Sequence, residues 1–122
     1  MTVRLNKRAY KYACKLIESE RCALDSENDW PTHRPAVQKE NDYIKQHGIA
    51  SYARWFLGFD DSEPENSKNR YKFLYGDFIR MHHCALLAAE DRAAQYYHAD
   101  IEQAVAQLRA MAEAGAVQQV VK

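Results

Sequence analysis

Residues Tyr71–Met111, YKFLYGDFIRMHHCALLAAEDRAAQYYHADIEQAVAQLRAM, constrain the fold of this chain more than any other segment. An aromatic run turns at Gly76 and leads into an alanine-rich stretch, and a second periodic stretch opens at Asp100. Helical spacing over 76–97 places Phe78, His82, Ala85, Ala89, Arg92 and Tyr96 on one stripe. Ile79, Leu86, Ala93 and Tyr97 fall on the next stripe, and Met81, Cys84 and Ala88 on the other side. A helix apolar over so much of its circumference belongs at the centre of a fold. From Asp100, with Gln103 placed as its capping-box partner, Ile101, Ala104, Val105, Leu108, Met111 and Ala112 form the cleanest apolar stripe, and Gly115 offers a stop.

The rest of the chain is arranged around that pair. Asn6 is a candidate N-cap for a first helix reaching about Leu24, with Ala9, Ala13, Leu16, Ile17 and Leu24 on its apolar face. Residues 25–36 read as a surface loop. Pro35 suits the first turn of a second helix, about 36–47, which Gly48 would end. The aromatic run 49–59 and the alternating Tyr71, Phe73 and Tyr75 flank an acidic loop, 60–70, as a short β-hairpin or two extended arms. The expectation is a mainly α fold: about four helices around a central alanine-rich helix, 76–97, with arms at 49–59 and 71–75 covering it. A length of 122 residues suits one domain spanning 1–122, with residues 116–122 fraying at its end.

Charge and composition exclude several classes. Seventeen basic residues balance seventeen acidic ones, so net charge gives no reason to expect a polyanionic partner. No apolar run approaches the roughly 20 residues that span a bilayer, and the N-terminus lacks the apolar core of a secretory signal; a cytoplasmic protein without a membrane partner is expected. The neutral total conceals an asymmetry. Arg4, Arg8, Lys11 and Lys15 form a basic stripe along the first helix, and the remainder of the chain is net acidic. That stripe is either a solvated face or a surface for weak nucleic-acid binding.

The residues that invite chemistry are few. His82, His83 and Cys84 suggest a metal or a nucleophile, but neighbours on a regular helix point about 100° apart, so the three cannot face one ion. Cys14, Cys22, His33, His47 and His98 could converge only through tertiary folding. No HExxH, CxxC, GxSxG or phosphate-cradling glycine cluster occurs. Cys84, mid-helix among Ala and Leu, reads as a buried structural cysteine, and Cys14 and Cys22, about 12 Å apart along one helix, as unpaired thiols. No catalytic residue, metal ligand or cofactor is therefore assigned. Arg92 is the exception on an otherwise apolar stripe. It either pairs with Asp100, Glu102 or the Asp60–Asp61 loop to fasten the long helix, or binds an anion in a pocket walled by Tyr71, Phe73 and Trp55.

Tyr52, Trp55, Leu57 and Gly58, the run Tyr71–Phe78, the helix end Arg92–Tyr96 and the helix start Asp100–Glu102 together resemble a group of small, chiefly bacterial proteins of unknown function. Their pattern runs YxxWxLG, YKFPYGDF, RAxQY and DIE, and it covers about the last two-thirds of this chain. Leu74 stands where the pattern has proline, and His83 where it has arginine. The resemblance implies an architecture and no reaction. The functional expectation is accordingly a small non-catalytic interaction or accessory module with a protein partner. A ligand-binding protein or enzyme using the Trp55, Tyr71, His82 and Arg92 pocket is the alternative, and nucleic-acid binding through the basic stripe the second.

Overall fold

A computed structural model describes residues 2–121, with side chains at all of these except 27 and 116–121. In chain order the elements are β1 (Val3–Leu5), α1 (Lys7–Glu18), β2 (Cys22–Ala23), α2 (Trp30–His33), α3 (Val37–His47) and α4 (Ile49–Ala53). There follow β3 (Phe56–Asp60), β4 (Tyr71–Leu74), β5 (Met81–His82), α5 (His83–Gln95) and α6 (Ala99–Val121). The expectation of a mainly helical fold with about four helices is overturned. Among the described residues, six helices stand beside a three-stranded sheet, β1-β3-β4, and a two-stranded one, β2-β5, making an α/β mixture.

The difference arises at three places where tertiary pairing overrides local periodicity. Val3–Leu5, too short to register as a strand, pairs antiparallel with β3 and adds a third strand to the pair formed by the 49–59 and 71–75 arms. Asn6 caps α1 as expected, its side chain accepting the Ala9 N–H. However, α1 stops at Glu18, because Glu20 turns left-handed (φ 61°) and Arg21 N–H closes back on Leu16 O at 2.7 Å. Cys22 and Ala23 thereby leave the helix and pair in parallel with Met81 and His82. The first half of 49–59 is helical, and only its second half is strand.

The central helix also begins later than its periodicity suggests, at His83 and not at Gly76. Asp77 Oδ1 accepts the N–H groups of Ile79 and Arg80 at 2.9 and 2.8 Å, an Asx turn, and Phe78 sits at φ 71°. Gly76 is required there: a Cβ would lie 2.6 Å from both Arg80 O and the Trp55 ring. Downstream, α5 and α6 form an antiparallel hairpin in which Ala85, Ala89 and Ala93 are buried and let the helices approach. Leu86, Ile101, Val105 and Leu108 join Trp55, Leu57, Tyr75 and Met81 in one core. The helix does not stop at Gly115, and the fraying expected of 116–122 concerns side chains outside the described ones. Among the described residues, no helix is long and apolar enough to cross a membrane.

Candidate metal centre

The loop between β2 and α2 and the junction between β5 and α5 bring four potential ligands together. Asp25 lies two residues past β2, whose parallel pairing delivers it to the N-terminus of α5. There its Oδ1 accepts the Cys84 amide at 2.8 Å, a favourable place for a carboxylate against the helix dipole. The loop then returns through Trp30 and Pro31, so that His33 ends beside its own starting point. Asp25 Oδ2 lies 2.7 Å from His33 Nδ1 and 2.6 Å from His82 Nδ1, and Cys84 Sγ lies 3.8 Å from His33 Nδ1. One ligand atom from each of Asp25, His33, His82 and Cys84 falls within 4.8 Å of all the others.

His82 and Cys84 meet because His82 is not helical. Its backbone is extended (φ −120°, ψ 128°), so the residue belongs to β5 while Cys84 sits in the first turn of α5. The helical argument separating the two therefore does not apply, and Cys84 is not mid-helix. His83 departs from the cluster, its Nε2 bonding Glu113 at 3.1 Å.

Proton counting makes the site unusual. Both ring nitrogens of buried His82 face carboxylates: Nδ1 faces Asp25, and Nε2 faces Asp77 Oδ2 at 2.8 Å. A neutral imidazole has a single N–H to donate. Either the ring carries a second proton or a cation takes its place at Nδ1. In the second case the Nε2–H to Asp77 is the outer hydrogen bond that metal-bound histidines typically make. Asp77 is itself fixed through its other oxygen by the turn at 77–80.

Burial works to raise the Asp25 carboxyl, but the hydrogen bonds from His82, Cys84 and His33 outweigh it and hold the group down at about 2. For Cys84, burial and then the Asp25 carboxylate push the thiol up to about 12. The thiol is thus unsuited to act as a bare nucleophile, despite its place at a helix N-terminus. A bound cation would reverse that balance and hold the sulfur as thiolate. Donors about 2.0–2.3 Å from a tetrahedral zinc ion stand about 3.3–3.8 Å apart, so the four atoms need only modest movement to enclose one.

The residues singled out from sequence are dispersed. Trp55 is in the core, 1% exposed, donating to Tyr43 Oη, and does not line the cavity that holds Tyr71 and Arg92. His82 joins the cluster of potential ligands, whereas Tyr71 and Arg92 line a separate cavity. Arg92 is exposed and forms no ion pair among the described residues; Arg109 fastens α5 to α6, gripping Glu90 at 2.7 and 3.2 Å. The basic stripe loses its first member, because Arg4 lies on β1 and pairs with Asp61 at 2.7 Å, leaving Arg8, Lys11 and Lys15 on α1. Asp25 and Asp77 carry no spacing signal of this role, because Asp25 meets His82 and Cys84 from 57 and 59 residues away and Asp77 belongs to a turn. The one available signal was a loop containing both an acid and a histidine.

No family model, curated protein or solved structure matches the chain.

Proposed function

We propose that this chain is a small cytoplasmic accessory module, without catalysis of its own, whose fold is completed by one zinc-class ion held by Asp25, His33, His82 and Cys84. The observation that carries this reading is the approach of Cys84 to two imidazoles around a shared carboxylate. A doubly protonated His82 between Asp25 and Asp77 would account for the carboxylates, but gives no reason for the sulfur and His33 to converge on them.

A set of two nitrogens, one sulfur and one oxygen suits zinc, which takes four such donors tetrahedrally and imposes no redox chemistry. Four protein donors make a closed site, the pattern of a structural ion and not of one that activates water. Such an ion would staple the 22–34 segment, held to the rest of the molecule by two-residue strands, onto the start of α5. The free thiols Cys14, Cys22 and Cys84 accord with a reducing compartment, and exposed Tyr96 and Tyr97 give a protein partner aromatic surface.

Zinc titrated into the chelator-stripped protein should saturate at one equivalent. Cys84→Ser and His33→Ala should each weaken binding while retaining the folded circular-dichroism spectrum. Wild type that takes up no zinc, or variants that bind as tightly as wild type, would remove the reading.

A further inference from the structure

A second candidate site lies beside β4 at the edge of the core. A cavity of about 530 Å³ opens between β4, α5 and the end of α2, within the range typical of small-molecule pockets. Arg34, Lys72 and Arg92 line it from these three different elements, and among the described residues no carboxylate does. Among the described residues none of the three forms an ion pair. Lys72 is electrostatically tied to Asp60, whose carboxylate is already engaged by the Ser62 amide and hydroxyl.

The backbone is bent to make this wall. Residues 71–74 all contribute to the cavity, which a regular strand with alternating side chains cannot do. The pairing skips Leu57 and Phe73, and Phe73 adopts φ 66°, a conformation costly for an aromatic residue. Gly58 accommodates the displaced ring: a Cβ there would lie 2.8 Å from Phe73 Cδ2. Together with Trp30 and Tyr96, Phe73 supplies flat apolar surface beside the three cations.

We infer that this cavity binds a small phosphorylated aromatic compound of the nucleoside diphosphate class. Three cations, of which Lys72 is partly compensated by Asp60, call for a head carrying at least two negative charges. One phosphate monoester supplies about −1.5 to −2 near neutrality, so a diphosphate meets the demand where a single carboxylate does not. The aromatic walls suit a planar base by stacking and by cation–π contact with the arginines. Lys72, Phe73 and Arg92 lie on β4 and α5, outside the segment the proposed ion would hold, whereas Trp30 and Arg34 lie on it, so the test uses zinc-replete protein.

Calorimetric titration of the zinc-replete protein with ADP, pyrophosphate and adenosine tests it. ADP should bind, with pyrophosphate and adenosine each weaker by about tenfold or more, because each retains only half of the recognised chemistry. Arg92→Gln and Arg34→Gln, both at exposed positions, should each weaken ADP about five- to tenfold at unchanged melting temperature. Absence of ADP binding, pyrophosphate binding as tightly as ADP, or variants that bind ADP like wild type would each overturn the proposal. Zinc stoichiometry measured on the same samples separates failure here from failure of the metal reading.

Discussion

At the scale of single residues, His82 decides whether this molecule has a metal centre. Its two nitrogens are committed in opposite directions, to Asp25 and to Asp77. If Asp77 orients the ring for a metal, Asp77→Asn should weaken zinc affinity about 10- to 100-fold, the usual cost of losing such a partner. Asparagine can still accept the amides of Ile79 and Arg80, so the turn should survive, and the melting temperature of the metal-free form should move little. A variant with undiminished zinc affinity would show that Asp77 serves the turn alone. The residues of this site were legible one at a time and illegible as a set. His82, His83 and Cys84 are conspicuous in the sequence, but their separation on a helix depended on the helix including His82. The ring's extended backbone, and with it the meeting with Cys84, is fixed by the Met81 N–H reaching Arg21 O at 2.9 Å, sixty residues away in sequence.

At the scale of elements, the α5–α6 hairpin was the most readable part of the fold. The buried positions Ala85, Leu86, Ala89, Ala93, Ile101, Val105 and Leu108 fall on the stripes that helical spacing assigns them. The fastening between the two helices was misread, because a charge on an apolar stripe looks buried when the stripe ends at the surface. Arg109→Ala should therefore lower stability by about 1 kcal/mol, the scale of a partly exposed bidentate pair, whereas Arg92→Ala should change it by less than about 0.5 kcal/mol. Thermal or urea unfolding of the two variants compares them directly; a larger loss for Arg92 would restore the buried-pair reading. The turn preceding α5 is a stricter constraint. In Gly76→Ala the new methyl meets backbone at Arg80 O and the buried Trp55 ring, neither of which can yield cheaply. A loss of about 2 kcal/mol or more is expected, with weakened zinc binding because the same turn aims Asp77 and His82. Full stability in that variant would mean that the turn can relax without consequence.

At the scale of the whole molecule, periodicity pointed to α1, α3, α5 and α6 and to the arms that pair as β3 and β4, and it missed α2, α4 and the remaining three strands. β1 has three residues and β2 and β5 two each, too few for a period to register, and they exist only because distant segments meet. Those short pairings are what organise the functional surfaces. Pairing of β2 with β5 sets Asp25 at the start of α5, and pairing of β3 with a β4 distorted at Phe73 borders the cationic cavity. The Tyr71–Met111 segment runs through both, contributing His82 and Cys84 to one site and Phe73 and Arg92 to the other. The 22–34 loop is shared in the same way, since His33 faces the ion site and Arg34 the cavity. An ion at the proposed centre would join this loop to the helical hairpin, so the metal and the fold should be thermodynamically linked, with excess zinc raising the melting temperature and chelation lowering it.

The most direct test is the metal content of untagged protein purified without chelators, followed by cobalt substitution. One zinc per chain is expected, replaceable by cobalt with the visible spectrum of a tetrahedral site and a thiolate charge-transfer band that disappears in Cys84→Ser. Metal-free protein whose cobalt spectrum matches that of the aqueous ion would contradict the central claim.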